Sequence, residues 1–305
     1  METSTILVAG ATGLLGNEIC RLLRAKNLSV KAMVRTTSDP VKTDELSKLG
    51  VQLVHADLRN KETLVKSLQG VKTVITSVSS MPFSYRPGEN DIKSVDEDGM
   101  INLIIASKSA GVNHFIYTSF SKNLDLDFPL RNAKRKVERH LQKSGLTYTI
   151  LRPGCFMELW LSAAVGFDAP NGKVNTCGSG ANHLAYISYK DVAKFAVESI
   201  SNPAAKNEVL ELGGPQNLSQ LDAVKIFEEV LDLKIDVAQI PVDALQAQLD
   251  GAEDPMQKSF SGLMLCVANG DHIDMGNVLC KFPVELTSVK DFANSVVKAK
   301  LSTAK

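Results

Sequence analysis

The segment Gly10-Ala-Thr-Gly13-Leu-Leu-Gly16 decides the fold predicted for this 305-residue chain. It follows the apolar run Thr5–Ala9, which has the composition of a buried strand, and it precedes apolar residues at helical spacing. In such a turn the first glycine permits a tight bend, the second lets the backbone approach a pyrophosphate, and the third lets the helix lie close to the strand. The alternative is a plain turn between a strand and a helix. The residues expected to contact a dinucleotide here are Gly10, Thr12, Gly13, Leu14, Leu15 and Gly16.

Strand and helix signals alternate through the first half of the chain. Apolar runs of strand length recur between segments with helical periodicity, and several of those segments end at a glycine. This alternation predicts a Rossmann-type, doubly wound α/β fold, with a parallel sheet covered by helices on both faces. The predicted strands are Thr5–Ala9, Val30–Val34, Val51–Val54, Val71–Ile75, His114–Tyr117 and Thr147–Leu151.

The alternation stops after Arg152-Pro-Gly, where glycine and asparagine clusters replace the long periodic runs. A later core strand at Glu208–Leu212 fits the first sheet. We therefore predict two domains. Residues 1–153 and 185–213 form the dinucleotide-binding domain, and residues 154–184 and 214–305 form a smaller C-terminal lobe for a substrate or a partner.

Composition excludes several functional classes. The formal net charge is zero, which argues against nucleic acid as the main partner. No segment approaches the ~20 apolar residues of a membrane span. The N-terminus lacks the basic end and apolar core of a signal peptide, and the five scattered cysteines form no C-x-x-C pair. We expect a cytoplasmic protein with reduced thiols, no membrane span and, because the five histidines lie far apart, no metal site.

Arg35 ends the second predicted strand, where a dinucleotide-binding fold meets the adenosine ribose. An acidic residue at this point favours NAD, whereas an arginine accommodates the additional phosphate of NADP. The first acidic residue after the strand is Asp39. The sequence therefore predicts that NADP(H) is preferred over NAD(H), the alternative being a solvated surface arginine. Lys31 and Lys42 lie nearby in the sequence, but neither position predicts a contact.

Two further strand ends are candidates for cofactor contacts. Asp57 and Leu58 follow the third strand, where a carboxylate can accept from the adenine amino group and an apolar side chain can line the base. The alternative for Asp57 is a helix cap. Ser77 follows the fourth strand among small residues, which leave room for the ribose and nicotinamide. The alternative there is a simple exit from strand to loop.

The chain resembles the NmrA-like, atypical short-chain dehydrogenase/reductase family. The motifs that carry the resemblance occur in order over about residues 4–215 and are Gly10–Gly16, Val34–Arg35, Ala56–Leu58, Val95–Leu103, His114–Ser119 and Tyr148–Phe156. The resemblance implies an NAD(P)-binding Rossmann protein. It also implies one of two activities, because the family contains reductases as well as regulators and assembly factors that bind the cofactor without turnover.

Catalysis in the wider superfamily uses a tyrosine and a lysine four residues apart on one helix. The resemblance places Lys134 at the lysine position, where the side chain contacts the nicotinamide ribose. Leu130 stands where the tyrosine is expected, and leucine cannot donate a proton. The alternative for Lys134 is a solvated basic helix face, with an ion pair to Glu138 one turn later.

Other candidate residues carry weaker signals. Tyr186 and Lys190 have the superfamily spacing, but we expect them in a strand and in the first turn of a helix, and therefore on no common face. Ser119 and Ser121 follow the fifth strand, near the superfamily's hydrogen-bonding serine. Tyr85 is the nearby phenol that is able to replace the missing proton donor.

Two aromatic segments follow carboxyl ends of predicted strands, where ligands bind in open α/β sheets. Phe83 lies in the first segment, and Phe156 and Trp160 lie in the second. Aromatic groups suit an apolar substrate pocket, and they also suit core packing of the second lobe.

Two functional hypotheses follow. In the first, the protein is an NADPH-dependent reductase of a small, apolar carbonyl, quinone or enone substrate. In the second, it is a non-catalytic NADP(H)-binding regulator or assembly protein that binds a protein partner. The absence of the tyrosine at Leu130 favours the second hypothesis, and the candidate apolar pocket favours the first.

Overall fold

The computed structural model describes residues 5–303. The strands are β1 (Thr5–Ala9), β2 (Val30–Val34), β3 (Gln52–His55), β4 (Val71–Thr76), β5 (His114–Thr118), β6 (Thr147–Pro153), β7 (Cys155–Phe156), β8 (Phe167–Asp168), β9 (Lys173–Cys177), β10 (His183–Ile187), β11 (Glu208–Leu212), β12 (Asn217–Ser219) and β13 (Asp236–Ile240). The α-helices are α1 (Leu14–Ala25), α2 (Pro40–Lys48), α3 (Lys61–Ser67), α4 (Met100–Ser109), α5 (Pro129–Lys143), α6 (Met157–Trp160), α7 (Tyr189–Glu198), α8 (Gln220–Leu231), α9 (Val242–Gly251), α10 (Pro255–Asn269), α11 (Gly276–Lys281) and α12 (Val289–Thr303).

A seven-stranded sheet has the strand order β11-β6-β5-β4-β1-β2-β3, and β1 to β6 pair in parallel. The chain moves outward from β1 to β3 and then returns to place β4 on the other side of β1. The strand order therefore reverses between β1 and β4, which is where open α/β sheets bind ligands. The predicted Rossmann-type α/β fold is confirmed.

Local sequence explains which face of α1 is buried and where α2 begins. Helix α1 buries Leu15, Ile19 and Leu23, which lie four residues apart on one face. Helix α2 starts at Pro40 behind Asp39, whose side chain accepts a hydrogen bond from the Val41 amide. These start signals orient the chain as it leaves the carboxyl ends of β1 and β2.

The chain divides into two compact units. The first comprises the chain up to Ser119, together with Pro129–Arg152 and Val192–Leu210. Its main core is formed by fully buried side chains from the central sheet and from α4, including Leu7, Val74, Phe115, Leu103 and Ile104. Burial of these apolar side chains stabilises the sheet that carries the strand ends described below.

The second unit comprises Phe120–Phe128, Pro153–Asp191 and the chain from Glu211 onward. It contains two three-stranded sheets, with the orders β12-β10-β7 and β13-β9-β8. Phe227 packs edge-on against Phe167, with ring centroids 5.3 Å apart, and against Phe292 at 6.4 Å. These aromatic contacts join α8 to β8 and to α12.

The predicted domain boundaries placed residues 185–213 with the dinucleotide-binding sheet. In the structure β11 lies in that sheet, whereas β10 pairs with β7 and β12. Both strands are apolar and short, so periodicity alone does not show which sheet each one joins. The assignment of the two predicted domains to cofactor and substrate stays a prediction.

No helix within residues 5–303 combines the length and the apolar character that crossing a membrane requires. The same range holds no group of three or more His, Cys, Asp or Glu side chains arranged to hold a metal ion.

His114 is a titratable group buried at the start of β5. Its Nε2 lies 2.8 Å from Thr149 Oγ1, and that hydroxyl donates its only hydrogen to Ala205 O at 2.7 Å. The imidazole must therefore donate from Nε2, which in the neutral ring leaves Nδ1 without a proton. Burial lowers the pKa of His114 from 6.5 to about 4, and the charge of Lys206 adds to this shift.

The lowered pKa of His114 predicts that the fold becomes less stable in acid. The unfolded chain binds a proton at His114 below pH 6.5, whereas the folded chain resists it until about pH 4. The stabilisation is therefore complete above pH 6.5 and is lost as the pH falls towards 4, at a cost of about 3 kcal/mol. In H114Q the amide can donate to Thr149 without titrating, so this part of the pH dependence should disappear in urea unfolding at pH 7, 6 and 5.

H183Q is the matched control, because His183 is exposed on β10. We expect this variant to keep the wild-type dependence of unfolding free energy on pH. An H114Q protein that retains the wild-type slope between pH 6.5 and 4 would contradict the assignment.

Candidate functional site

The glycine turn after β1 has the geometry that the sequence predicts. Gly10 has a φ of +84°, in the left-handed region that favours glycine, and its carbonyl accepts from the Gly13 amide at 3.0 Å. A Cβ at Gly16 would lie 2.1 Å from Gly10 O, so any side chain there would collide with the backbone. A Cβ at Gly13 would approach no atom closer than 3.4 Å. Gly10 and Gly16 are therefore required by the fold, whereas the fold alone does not require Gly13.

Gly13 caps α1 without any side-chain hydrogen bond, and no acidic residue occurs in the first turn. The first amides of a helix lack intrahelical partners and carry partial positive charge. The start of α1 is therefore suited to an anion such as a pyrophosphate.

A cleft of about 460 Å³ opens at this turn and extends along the ends of β1 to β4. Nine of the predicted site residues line it: Gly10, Thr12, Gly13, Leu14, Arg35, Asp57, Leu58, Ser77 and Phe83. Leu15 and Gly16 are buried in α1 behind the turn. Lys134 and Tyr85 are not among the lining residues.

Basic and hydroxyl side chains meet at the end of β2. Arg35 is half-buried, its amide donates to Ser38 Oγ at 2.9 Å, and its Nη1 donates to Asn90 Oδ1 at 2.7 Å. Lys42 also lines the cleft, from the first turn of α2. Lys31 does not line it, and its Nζ donates instead to Gln69 O at 2.6 Å. The sequence predicted no contact for Lys42 and gave no signal for Asn90, although the α2 start signal at Asp39 places Lys42 close to the strand end.

Asp57, at the end of β3, is held by Arg59. The guanidinium donates from Nε to Oδ1 at 2.9 Å and from Nη2 to Oδ2 at 2.6 Å. These hydrogen bonds lower the pKa of Asp57 and keep the carboxylate ionised. The cap of α3 is Asn60, whose Oδ1 accepts from the Glu62 and Thr63 amides, so Asp57 does not cap that helix. The adjacent Leu58 is buried against the cleft.

Lys134 lies in a buried polar cluster behind the segment that follows β4. Its side chain is 6% exposed, and its Nζ lies 3.6 Å from Asp96 Oδ1, donates to Val78 O at 3.3 Å and sits 5.4 Å from the centre of the Tyr117 ring. Burial lowers the pKa of Lys134, and the carboxylate of Asp96 opposes that shift. The alternative of a solvated lysine is therefore wrong, because the ammonium is enclosed.

Asp96 anchors this cluster to the cleft wall. It lies in the π-helical stretch Ile92–Gly99, is fully buried, and accepts at Oδ2 from the Ser80 amide at 2.9 Å and from Ser80 Oγ at 2.6 Å. Lys134 and Asp96 thus hold Val78 and Ser80 from behind, and Val78 lines the cleft.

Glu138 has other partners than Lys134. It pairs with Arg135 Nη1 at 2.8 Å and with Arg152 Nη2 at 2.5 Å. Its Oε1 also accepts from Arg152 Nε at 3.0 Å. Arg135 Nη1 in addition reaches Ser119 Oγ at 3.4 Å. The alternative of an exposed ion pair between Lys134 and Glu138 is wrong, because both residues are buried on α5 and Glu138 pairs with the two arginines.

Within the part of the chain that the structure describes, no tyrosine lines the cleft. Leu130, at the position where the family resemblance expects the tyrosine, is buried on α5, and all five tyrosines of the chain lie outside the cleft lining. Tyr117 is fully buried, and burial raises the pKa of its phenol well above the ordinary value. Tyr85 is half-buried in the loop after β4, and its role stays a prediction.

The remaining candidates belong to the second unit. Phe156 is half-buried in β7 and Trp160 is buried in α6, and their contact with a substrate stays a prediction. Ser121 Oγ donates to Asp271 Oδ1 at 2.6 Å, and burial raises the pKa of that carboxyl. Tyr186 lies in β10 and Lys190 at the start of α7, where it is exposed, so the two residues do not share a helix.

The turn geometry predicts opposite behaviour for two glycine-to-alanine variants. G16A should lower the unfolding free energy by about 3 kcal/mol or more, because its methyl group meets the Gly10 carbonyl. G13A should stay within about 1 kcal/mol of wild type. It should nevertheless weaken binding of a dinucleotide such as NADPH about tenfold or more, because a methyl group then occupies the approach to the turn.

Urea unfolding and isothermal titration of G13A measure the two effects separately. A G13A protein with wild-type affinity would contradict the role of this turn as a phosphate cradle, and a fully stable G16A would contradict the close packing of α1.

Several known proteins are similar to this chain in sequence or in fold. A photosystem II assembly factor from Trieres chinensis is 30% identical over 250 residues, covering 79% of this chain and 74% of that protein. An NAD(P)H azoreductase from Xenophilus azovorans is 32% identical over 216 residues, covering 70% of this chain and 69% of that protein. The NADPH-dependent quinone oxidoreductase of Escherichia coli, solved with NADPH, shares the fold with a TM-score of 0.77 at 23% identity, covering 96% of this chain and 99% of that one.

The NmrA-like family matches residues 2–293 of this chain. The match therefore continues beyond residue 215, near which the motifs that carry the resemblance end. The match covers the glycine turn, the strand ends and the helix that carries Lys134. This chain belongs to the NmrA-like family.

Proposed function

We propose that this protein binds NADP(H) in the cleft and reduces a small, apolar carbonyl, quinone or enone substrate without the superfamily's tyrosine. One observation carries the proposal: the glycine turn and the strand end with Arg35 and Lys42 line the same cleft, at the reversal of strand order. A pyrophosphate suits the first of these features and a ribose 2′-phosphate suits the second.

The residues present fit this cofactor. The turn leaves the space above Gly13 free of side chains. Two basic side chains, Arg35 after β2 and Lys42 in α2, line the cleft. Asp57 stays ionised and can accept from the adenine amino group while it is paired with Arg59. When bound, NADPH supplies the hydride for a reduction.

Lys134 contributes to this proposal chiefly by position. Its ammonium holds the Val78 carbonyl, and through Asp96 and Ser80 it stabilises the cleft wall after β4. A direct contact of Lys134 with the nicotinamide ribose remains part of the proposal. Leu130 supplies no proton, so the proton for the product comes from water or from a non-standard donor, for which Tyr85 is the nearby phenol.

A second candidate function is a cofactor-binding regulator or assembly protein with a protein partner. The observation that favours it is the buried Leu130 at the tyrosine position, together with the absence of any tyrosine from the cleft lining of the described residues. A photosystem II assembly factor among the relatives is consistent with this function.

Cofactor preference is tested with R35A. Removal of the guanidinium should weaken NADPH binding about tenfold or more, since a charge-assisted bidentate contact is lost, while NADH affinity changes by less than about twofold. Isothermal titration with both cofactors measures this. K31A is the matched control: it removes a positive charge from β2, the strand that Arg35 follows, but Lys31 does not line the cleft. Equal wild-type affinities for the two cofactors, or an R35A protein that keeps its NADPH affinity, would overturn the preference.

Turnover separates the two functions. NADPH oxidation is followed by its absorbance with a panel of quinones, enones and aldehydes, and a reductase should consume NADPH with at least one class. Tight NADPH binding without any turnover would reject the reductase and support the regulator.

If turnover occurs, Y85F tests the donor: full activity in this variant would exclude Tyr85, and a loss in kcat without a loss of NADPH affinity would support it.

A further inference from the structure

The loop after β4 carries a side chain that holds the guanidinium of Arg35. Asn90 is 7% exposed, and its Oδ1 accepts from Arg35 Nη1 at 2.7 Å. Asn90 lies 55 residues away from Arg35 in the sequence, and both line the cleft. The position of Arg35 therefore depends on this loop as well as on the end of β2.

The orientation of the Asn90 amide is determined by its other partners. Its Nδ2 donates to Ser84 O at 2.6 Å and reaches Ser84 Oγ at 3.2 Å. A flipped amide would place its NH₂ group against the guanidinium and its oxygen against the Ser84 carbonyl, so both contacts would be lost. The side-chain oxygen of Asn90, Oδ1, must therefore face Arg35.

The backbone around Asn90 is held as well. Arg86 and Asn90 exchange two backbone hydrogen bonds, of 3.0 and 2.8 Å. Arg59 donates from Nη1 to the Glu89 carbonyl, and the Gly88 amide donates to Asp91 Oδ2 at 3.1 Å. Asp91 in turn caps the π-helical stretch. The turn Arg86–Asn90 is thus a braced support for the Asn90 side chain.

Asn90 restrains Arg35 without neutralising it. An arginine has five N–H donors, and Asn90 occupies one at Nη1. Within residues 5–303 the edge formed by Nε and Nη2 makes no hydrogen bond. The neutral amide oxygen of Asn90 adds no negative charge beside the guanidinium, whereas a carboxylate in the same place would compete with an anion. The carboxylate of Asp57 interacts electrostatically with Arg35 but makes no hydrogen bond to it within the described residues.

We propose that Asn90 is a specificity-determining positioning residue, which orients Arg35 so that its Nε–Nη2 edge meets the 2′-phosphate of NADP(H). This inference rests on the proposed cofactor site. Asn90 itself does not contact the phosphate. It restricts the rotamers of the long Arg35 side chain before the ligand arrives, which lowers the entropy lost on binding.

Two variants test the two parts of the inference. N90A removes the support and should raise the NADPH Kd about threefold, because Arg35 regains rotamer freedom. N90D keeps an acceptor but adds a negative charge, and should raise the NADPH Kd about tenfold or more. In both variants the NADH Kd should stay within about twofold of wild type. Isothermal titration with NADPH, NADH, adenosine 2′-monophosphate and adenosine 5′-monophosphate measures the selectivity directly and needs no turnover.

E89Q is the matched control. It changes a charge at the neighbouring, exposed position of the same turn, while the Glu89 carbonyl contact to Arg59 is made by the backbone. Its NADPH-to-NADH affinity ratio should stay within about twofold of wild type. Circular dichroism and thermal unfolding verify that each variant is folded, and a loss confined to 2′-phosphorylated ligands cannot come from general destabilisation.

The outcomes distinguish this inference from the proposed function. If R35A keeps its NADPH affinity, the proposed cofactor preference fails and the role of Asn90 fails with it. If R35A loses NADPH selectively but N90A and N90D keep the wild-type ratio, only the positioning role of Asn90 is overturned. Equal weakening of NADPH and NADH in the Asn90 variants would overturn it too, because the residue would then support the cleft without setting specificity.

Discussion

The close approach of α1 to the end of β1 is the constraint on which the cleft depends. A Cβ at residue 16 would come within 2.1 Å of the Gly10 carbonyl, so the helix can lie this near only because Gly16 has no side chain. That distance brings the unpaired amides at the start of α1 to the reversal of strand order between β1 and β4. The positive end of the helix and the gap in the sheet thus coincide, and the remaining strand ends add side chains around them.

Charges buried behind the cleft have a different task from the charges that line it. Burying Lys134 with Asp96, or Glu138 with two arginines, costs desolvation that pairing only offsets, so such groups are weak sources of stability. Their geometry nevertheless restricts the wall after β4, since Asp96 binds both the amide and the hydroxyl of Ser80. By contrast, Arg35 keeps one edge of its guanidinium uncommitted, which is what binding an anion requires. Lys134 and the two arginines that pair with Glu138 thus serve the fold, whereas Arg35 has donors left for a ligand.

Sequence reasoning succeeded where the signal was local. The glycine turn, the alternation of strands and helices and the strand end at Arg35 all depend on neighbours within a few residues, and the sheet and the cleft lining contain them as expected. It did not identify contacts between residues that are distant in the sequence: the pairing of β10 with β12, the approach of Lys134 to Asp96 and the contact of Asn90 with Arg35 are tertiary facts. A basic helix face gives the same sequence pattern whether it is solvated or enclosed, because periodicity does not identify what lies opposite.

Recognition of a cofactor and its chemical use are separable in this architecture. The residues suited to a dinucleotide come from the turn after β1 and from the ends of β2 and β3, whereas the family resemblance predicts the catalytic pair on the helix that follows β5. Leucine at position 130 leaves the first group untouched, because the two groups share no side chain. A chain with this architecture can therefore lose or change its chemistry and still keep Arg35 and the side chain that supports it. On this argument the affinity ratio between NADPH and NADH reports on the strand ends alone, and only turnover reports on what replaces the tyrosine.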